Sequence, residues 1–322
     1  MAALLRLDHV KKYFPVSSGI MRKSLALLKA VDDVSFTIEE GETFGLVGES
    51  GCGKTTIGKL LLKLHEATSG SILMGESDVT RLKGSDLDGY RSHIQAVFQN
   101  PYASLDPRMR IWRSIGEPLI NSGWPKRRVL ERVRDLLDLV GLPANCGSRF
   151  PHEMSAGQRQ QIAIARALSV NPRFIVLDEP TSLLDVSAQS SILNLIARLQ
   201  TGLSLTYLFI SHNLQVVRFV SNRVGVMYCG KLVELAESKT LYTAAKHPYT
   251  RALLASVPDN DPESTREEVV LEGDVISPID PPEGCRFYGR CDSRADMCQR
   301  SEPVMTEVSP GHTVACHFCT GG

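Results

Sequence analysis

Residues 48–56 (GESGCGKTT) bring closely spaced glycines together with a lysine and two threonines. Glycines allow backbone N–H groups to crowd around a phosphate chain. Lys54 can reach the β- and γ-phosphates of a nucleotide, and the hydroxyl of Thr55 can hold Mg²⁺. This chemistry needs a strand before the loop and a helix after it. Residues 43–47 favour a strand and residues 57–64 favour a helix, so a phosphate-binding loop (P-loop) is predicted rather than a plain glycine turn.

Two carboxylates, Asp178 and Glu179, directly follow a continuous apolar run at residues 174–177. Such a run is typical of a buried parallel strand, and ligands of open α/β sheets bind at the carboxyl ends of the strands. Asp178 suits a water-mediated contact with Mg²⁺, and Glu179 suits polarisation of an attacking water. His212 follows a second apolar run, residues 206–210. Because it is the third polar group at a strand end, we favour a γ-phosphate contact over a surface or packing role.

The remaining pattern predicts the elements that would position these side chains. Strands are predicted at residues 4–10, 31–38, 71–74, 94–98, 224–227 and 231–235, the first two as an antiparallel pair and the last two as a hairpin. Residues 17–29 contain serine and glycine and are predicted to be a loop. Helical periodicity over residues 111–140 ends at Gly141 and Pro143. Residues 154–161 run into 162–168, and the second half of this stretch is predicted to be a helix, whose N-terminus would present amides and a hydroxyl to an anion.

The composition is that of an ordinary globular protein, with 43% hydrophobic and 22% charged residues among 322. The formal net charge is zero, which argues against a nucleic-acid partner because no global field attracts one. No apolar run approaches the roughly 18–20 residues that a membrane span needs. Residues 1–10 lack the features of a signal peptide. We therefore expect the chain to stay on the cytoplasmic side.

The cysteines are concentrated near the C-terminus. Five of the eight are Cys285, Cys291, Cys298, Cys316 and Cys319. In a cytosolic chain such a group favours metal ligation over disulfides. Five residues separate Cys285 from Cys291 and six separate Cys291 from Cys298, spacings that lack the tight C-x₂-C pair common in zinc sites. Cys319, three positions after Cys316, could supply such a pair or be a bystander. Iron–sulfur is favoured over zinc, with no bound metal as a third alternative. An acidic, proline-containing stretch, residues 258–268, is predicted to be a linker.

The set of motifs resembles that of an ABC transporter nucleotide-binding subunit over residues 4 to about 255. In family order they are the P-loop, Gln99, the Ser-x-Gly-Gln segment at 155–158, the Asp178–Glu179 pair, the loop from Ser182 to Asp185, and His212. Three further segments, KYFPV at 12–16, VFQNPYASLDPR at 97–108 and HPYT at 247–250, resemble the ATP-binding subunits of bacterial dipeptide and oligopeptide importers. The KYFP opening resembles the F-type subunit of such importers.

The resemblance implies an α/β fold with a RecA-like core, an antiparallel β subdomain and a helical subdomain at about residues 100–170. The nucleotide-binding domain would cover residues 4–257. Residues 258–322 would form a linker and a small cysteine-containing C-terminal region. In some relatives that region carries a [4Fe–4S] cluster, which would make Cys285, Cys291, Cys298 and Cys316 the ligands.

The resemblance also assigns roles in binding ATP and Mg²⁺. Phe14 or Tyr13 would stack on adenine. The phosphates and Mg²⁺ would be bound by the P-loop residues Gly48, Ser50, Gly51, Cys52, Gly53, Lys54, Thr55 and Thr56. Gln99 would contact Mg²⁺ and the attacking water, Asp178 would hold Mg²⁺, Glu179 would be the catalytic base and His212 would bind the γ-phosphate. Ser155, Gly157 and Gln158 would complete the site of a facing subunit, which Asp185 would also contact.

Several residues depart from the usual family pattern, among them a leucine in the loop from Ser182 to Asp185 where alanine is common. Ala156 adds a Cβ where glycine is usual, and Gln161 stands where arginine is usual. We therefore expect a working but slower ATPase.

The implied partners are a second ATP-binding subunit, a paralogue or a copy of this chain, and two transmembrane permease subunits fed by a substrate-binding protein. The chain would then lie peripherally on the cytoplasmic face of the inner membrane. Relatives import nickel, glutathione or oligosaccharides, so these remain alternative substrates to peptides. A soluble ABC ATPase without a membrane partner and a subunit that holds ATP without hydrolysing it are the alternative functions.

Overall fold

The structure is a computed structural model that describes residues 3–17, 25–256 and 276–319. These residues form twelve strands: β1 (Ala3–Ser17), β2 (Leu25–Glu39), β3 (Thr43–Val47), β4 (Ser69–Met74), β5 (Ser77–Asp78), β6 (Ile94–Val97), β7 (Phe174–Asp178), β8 (Thr206–Ile210), β9 (Arg223–Tyr228), β10 (Lys231–Glu237), β11 (Thr306–Ser309) and β12 (His312–Val314). The α-helices of the described residues are α1 (Lys54–Leu61), α2 (Gly84–His93), α3 (Pro101–Ser104), α4 (Ile111–Asn121), α5 (Lys126–Leu139), α6 (Ala156–Leu168), α7 (Val186–Leu203), α8 (Leu214–Val220), α9 (Ser238–Ala244), α10 (Pro248–Ala255) and α11 (Asp296–Arg300).

The mixed α/β fold is confirmed, as are the strand that leads into the P-loop and the hairpin of β9 and β10. The helical stretch at 111–140 is interrupted at 122–125, between α4 and α5. The predicted loop at 17–29 is wrong from Leu25 onward, where β2 begins. The N–H of Lys29 donates to the carbonyl of Pro278, a partner far along the chain that local composition does not reveal. The whole of the predicted linker at 258–268, together with 18–24, lies outside the described residues.

The chain divides into two compact units. One, the helical unit, contains Glu39–Glu42 and Leu82–Ile210. Its strands β6, β7 and β8 are parallel, with β7 in the centre. Every residue of β7 and β8 is buried, as expected for parallel strands covered on both faces. This arrangement delivers the polar groups that follow β7 to the carboxyl edge of the three strands.

The α-helices between β6 and β7 form a packed layer of their own within the helical unit. The pairs α4–α5, α4–α6 and α5–α6 are all in contact. Gly116 of α4 lies so close to α5 that a Cβ would be 2.4 Å from Cγ1 of Val129. The close approach explains a glycine inside a helix, where it otherwise costs about 1 kcal/mol relative to alanine.

The other unit, the P-loop unit, contains Ala2–Ile38, Thr43–Arg81 and Ser211–Gly322. It has a four-stranded sheet in the order β2-β1-β4-β5, and β4 is antiparallel to both of its neighbours. Its second set of strands has the order β11-β12-β10-β9-β3, in which β3 is parallel to β9 and the other pairs are antiparallel. The C-terminal strands therefore belong to the same hydrogen-bonded array as β3, the strand that enters the P-loop.

Candidate functional site

The P-loop joins β3 to α1 along a path that only glycine can follow at two positions. Gly48 has φ +145°, and a Cβ there would lie 2.2 Å from the carbonyl oxygen of Met227. Gly53 has φ +110°, and a Cβ there would lie 2.2 Å from the carbonyl oxygen of Ala30. α1 begins at the next residue, Lys54. The loop therefore places backbone amides at a helix N-terminus, an arrangement that favours anions.

The Lys54 side chain is buried within the loop. Its ammonium donates to the carbonyls of Gly48 at 2.7 Å and Glu49 at 2.9 Å, and lies 3.5 Å from Sγ of Cys52. Cys52 is itself buried, and burial raises the pKa of its thiol. Ser50, Gly51 and Thr55 are exposed, and Gly53 and Thr56 are half-buried. The exposed side of the loop thus carries two hydroxyl groups beside an ammonium held by carbonyl oxygens.

The two candidate adenine-stacking residues have different surroundings. The Tyr13 hydroxyl donates to the buried carboxylate of Asp32, and burial together with this bond raises the pKa of Tyr13. The Phe14 ring is half-buried, meets the ring of His65 edge-on at 5.4 Å and has Nζ of Lys12 at 4.9 Å from its centroid. The polar end of Tyr13 is therefore held in an internal network, which leaves Phe14 as the better-placed stacking surface.

His212 lies in the P-loop unit, in the turn before α8. Its side chain is exposed. The neighbouring Asn213 caps α8, and its Oδ1 accepts from the N–H groups of Gln215 at 3.0 Å and Val216 at 3.3 Å. The cap fixes the start of α8, so the turn that carries His212 is held by a defined helix end.

The helical unit brings Gln99 and Glu179 together. Nε2 of Gln99 donates to Oε2 of Glu179 at 2.9 Å, although the residues are eighty positions apart in the chain. Asp178 ends β7 and is buried. Glu179 has the left-handed φ of +49°, and its N–H donates to the carbonyl of Ile210 at the end of β8. The amide of Gln99 and the carboxylate of Glu179 thus meet at the carboxyl edge of β7, next to Asp178 in the chain.

Ser155 is the N-cap of α6. Its hydroxyl accepts from the N–H of Gln158 at 3.2 Å, and Oε1 of Gln158 accepts from the N–H of Ser155 at 3.0 Å. This reciprocal capping box fixes the start of the helix. Ala156 and Gly157 occupy the first helical positions and are half-exposed. The amides of this helix end and the exposed Ser155 form a surface suited to an anion.

Gln161 and Asp185 both satisfy backbone groups at helix ends. Nε2 of Gln161 donates to the carbonyl of Val140 at 2.8 Å, at the end of α5. Oδ1 of Asp185 accepts from the N–H of Ala188 at 2.9 Å and from the hydroxyl of Ser187 at 2.7 Å. These bonds lower the pKa of Asp185. In this chain Gln161 therefore joins α6 to the end of α5, and the exposed Asp185 caps α7.

Four cysteines of the P-loop unit line one small cavity: Cys285, Cys291, Cys298 and Cys316. All eight cysteines are free thiols. Burial raises the pKa of Cys285 to about 11, whereas a hydrogen bond from Cys319 lowers the pKa of Cys316 to about 6. The described residues contain no group of three or more Cys, His, Asp or Glu side chains placed to hold a single metal ion.

Sequence reasoning missed two ion pairs made by arginines of this cysteine-bearing segment. Arg286 contacts the buried Asp32, and Arg290 contacts Glu49 of the P-loop with both of its terminal nitrogens. An acidic residue inside a phosphate-binding loop signals the need for a compensating charge. Nothing in the spacing indicates which of the 36 lysines and arginines supplies it.

Within the described part of the chain, no helix is both long and apolar enough to cross a membrane.

Comparison with known proteins gives a consistent result. Residues 31–182 match the family model described as ABC transporter, and residues 233–298 match the one described as oligopeptide/dipeptide transporter, C-terminal region. The chain is 48% identical over 319 residues to the oligopeptide transport ATP-binding protein AppF of Bacillus subtilis, covering 98% of this chain and 97% of that one. It is 49% identical over 292 residues to a putative peptide import ATP-binding protein of Brucella ovis, covering 90% and 92%.

Solved structures of ATP-binding cassettes have a similar fold. The dimeric cassette MJ0796, in a post-hydrolysis state bound to ADP and Pi, has a TM-score of 0.64 and 26% identity, covering 73% of this chain and 98% of that one. The cbiO1 protein of Clostridium perfringens has a TM-score of 0.66 and 23% identity, covering 76% and 92%. The similarity to cbiO1 concerns the fold alone. The predicted ABC nucleotide-binding fold is confirmed by these matches.

Proposed function

We propose, from the premise that this chain belongs to the ABC transporter family of ATP-binding proteins, that it hydrolyses ATP to power the import of dipeptides or oligopeptides through a membrane permease. The observation that carries the proposal is the hydrogen bond between Gln99 and Glu179, in a chain that also has a complete P-loop. It supports an ATPase rather than a subunit that only holds nucleotide, because it joins a candidate base to a candidate water-orienting amide.

The P-loop would bind the phosphates of ATP through the backbone amides and the hydroxyls of Ser50, Thr55 and Thr56. Lys54 would exchange its bonds to the carbonyls of Gly48 and Glu49 for bonds to the β- and γ-phosphates. This exchange is favourable because an ammonium–phosphate pair is a charge-assisted hydrogen bond. Phe14 would cover the adenine.

Thr55, Gln99 and Asp178 offer a hydroxyl, an amide and a carboxylate, the hard oxygen donors that Mg²⁺ prefers. We propose that they hold Mg²⁺, which would neutralise charge on the β- and γ-phosphate oxygens. Glu179 would accept a proton from the attacking water while Gln99 orients that water. His212 would donate to the γ-phosphate. Positioning and charge stabilisation account for the reaction, since phosphoryl transfer needs little covalent help from the protein.

We propose that two ATP-binding subunits pair head to tail. The capped start of α6, with Ser155, Gly157 and Gln158, would complete the ATP site of the facing subunit, and Asp185 would contact that subunit. The exposure of Ser155 and Asp185 supports this arrangement. ATP would favour the closed pair, and hydrolysis followed by phosphate release would favour the open pair.

The partner subunit in this proposal is a paralogue, and the motion of the pair would act on two transmembrane permease subunits. In such an assembly the chain would lie on the cytoplasmic face of the inner membrane. A substrate-binding protein would deliver the peptide to the permease on the opposite face. Relatives named as oligopeptide transport or peptide import ATP-binding proteins support peptides as the transported substrate. The C-terminal match over residues 233–298 supports the same choice.

For the cysteines lining the cavity, we propose a [4Fe–4S] cluster held by Cys285, Cys291, Cys298 and Cys316. The donor set fits, because a cubane cluster takes four thiolates. Each thiolate binds a different iron, so the four sulfurs need not converge on one point as the ligands of a single ion must. Iron and acid-labile sulfide in an anaerobic preparation would support the cluster. Stoichiometric zinc without sulfide, or no metal, would contradict it.

The function is tested in the assembled transporter, reconstituted in liposomes. Glu179→Gln should nearly abolish ATP turnover while ATP still binds, because the change removes the base and leaves the P-loop intact. The control is Glu76→Gln, the same chemical change at an exposed glutamate between β4 and β5. Equal turnover by wild type and Glu179→Gln would contradict the catalytic assignment. Failure to purify with an integral membrane permease would instead favour a soluble ATPase.

A further inference from the structure

Glu49 places a carboxylate inside a loop whose proposed ligand is a chain of phosphates. Its side chain is only 26% exposed, so water screens its charge incompletely. A like charge close to a binding site disfavours the binding of an anion. The P-loop therefore needs a cation that neutralises Glu49 without entering the phosphate site.

Arg290 supplies that cation. Nη1 lies 2.9 Å from Oε2 of Glu49, and Nη2 lies 3.1 Å from Oε1. This parallel two-bond geometry is the strongest and most directional form of arginine–carboxylate pairing. The Arg290 side chain is 7% exposed, so the pair is shielded from solvent, unlike a mobile contact at the surface.

The turn that carries Arg290 is rigidly attached to the P-loop unit. Within the turn, the N–H of Tyr288 donates to the carbonyl of Cys285, and the N–H of Arg290 donates to the carbonyl of Phe287. The buried Phe287 packs against the rings of Tyr228 at 5.3 Å and Tyr249 at 5.5 Å. A guanidinium mounted on such a turn has little freedom to follow a moving carboxylate.

The backbone of Glu49 is held by Tyr249, one of the two tyrosines that pack against Phe287. Its N–H donates to the hydroxyl of Tyr249 at 2.9 Å, and the Tyr249 side chain is buried. The carbonyl of Cys52, three residues further along the P-loop, accepts from the N–H of Gly230. Tyr249, Arg290 and Gly230 thus hold the first turn of the P-loop, through the backbone of Glu49, the side chain of Glu49 and the backbone of Cys52.

We propose that Arg290 is a positioning residue for ATP binding: it neutralises Glu49 and fixes the shape of the P-loop, so that the cysteine-bearing turn at residues 285–291 controls nucleotide affinity. The proposal rests on the proposed function. It also requires reciprocity, because a turn that raises ATP affinity must itself be stabilised when ATP binds.

The first test measures ATP affinity by titration calorimetry. Arg290→Gln should bind ATP about tenfold more weakly than wild type, since the charge of Glu49, a residue of the P-loop itself, is then uncompensated. Adding Glu49→Gln to Arg290→Gln should restore most of the affinity, because the repelling charge is gone. The control, Arg300→Gln, removes the same charge from an exposed arginine at the end of α11 and should bind like wild type.

The results with the two Arg290 variants and with wild type each test a different part of the proposal. Wild-type affinity in Arg290→Gln would overturn the proposal. Weak binding that persists in the double variant would show that the uncompensated charge of Glu49 is not the cause, which also overturns the proposal. Wild-type protein that binds no ATP would overturn the proposed function as well, and so the two failures are distinguishable.

A second measurement needs no variant. Hydrogen exchange of wild-type protein, followed by mass spectrometry, should show slower exchange of the amides in residues 285–291 when ATP is added. The same segment in Arg290→Gln should respond little to ATP. Unchanged exchange in wild type at saturating ATP would overturn the proposal even if every variant failed to fold.

Discussion

Asp32→Asn should destabilise the P-loop unit far more than the same change at the next residue. The Asp32 carboxylate is 8% exposed, and Arg286, whose side chain is 5% exposed, bonds to it directly. It also accepts from the Tyr13 hydroxyl and lies 3.6 Å from Nζ of Lys231. Removing one partner of a buried pair costs about 3–5 kcal/mol because the other charge is left uncompensated.

The lower end of that range applies here, about 3 kcal/mol. Nζ of Lys231 keeps a second carboxylate, Glu302, at 2.5 Å, and the asparagine oxygen can still accept from Tyr13. The control is Asp33→Asn. The Asp33 side chain is 40% exposed and pairs with His9 and Lys11 at the surface, so its loss should cost no more than about 1 kcal/mol.

The pH dependence gives an independent check of the same reasoning. Burial alone would raise the pKa of Asp32, but the hydrogen bond from Tyr13 and the charges of Lys231 and Arg286 outweigh it, so the pKa lies below its ordinary value of 3.8. A lowered carboxyl pKa stabilises the folded state above the unfolded pKa, and this stability is lost as the pH falls through the folded pKa. The difference between wild type and Asp32→Asn should therefore be constant at neutral pH and shrink below about pH 4.

The assay is chemical denaturation of the purified chain, followed by circular dichroism and by protease sensitivity of residues 276–319, which belong to the P-loop unit. Equal destabilisation by Asp32→Asn and Asp33→Asn would refute the reasoning. So would a wild-type advantage that grows as the pH falls, since that is the behaviour of a carboxyl whose pKa is raised.

Three further outcomes follow from the site. Lys54→Ala should abolish ATP binding by this chain and transport by the assembly, even though the partner's own P-loop is intact; filter binding and peptide uptake measure the two effects, and normal uptake would contradict the shared site. Gln99→Ala should lower turnover with little change in ATP affinity, because it removes the bond to Glu179 and leaves the P-loop untouched; a matching rise in Kd would contradict this role. Ser155→Ala should cost about 1 kcal/mol of stability through the lost helix cap, but it should lower ATP turnover of the assembled transporter by much more than thermal unfolding accounts for, and turnover that follows stability alone would reduce Ser155 to a cap.

Features that could be predicted from the sequence are those with a local physical signal. The glycines of the P-loop are needed where φ is positive and a Cβ would strike a carbonyl, as at Gly48 and Gly53, and their spacing is visible without the fold. Ser155 and Asp185 precede helices and cap them, a preference that comes from unpaired N–H groups. Continuous apolar runs marked β7 and β8 because strands covered on both faces need apolar residues at every position.

What could not be predicted depends on partners far away in the chain. The first part of β2 bonds to a distant segment: the N–H of Lys29 donates to the carbonyl of Pro278, and Leu28 bridges to Ile279. Arg286 and Asp32 are 254 positions apart. Charge patterns carry no information about pairing at such separations, because any of many acids and bases could meet. The cysteine positions were visible, but the contacts of the arginines beside them were not.

Those arginines connect the cysteine-bearing turn at residues 285–291 to β2 and to the P-loop. Cys285 and Cys291 end the turn, and the two arginines lie just inside it: Arg286 reaches Asp32 of β2, and Arg290 reaches Glu49 of the P-loop. If the proposed cluster bound both Cys285 and Cys291, it would restrict the movement of the turn between them and therefore of the guanidinium groups of Arg286 and Arg290. Each ion pair would then lose less conformational entropy when it forms, because the side chain is already restrained at its base. Removal of the proposed cluster should therefore weaken ATP binding in wild type but not in Glu49→Gln/Arg290→Gln, whose P-loop no longer depends on that turn. Equal sensitivity of both proteins to cluster removal would contradict the link.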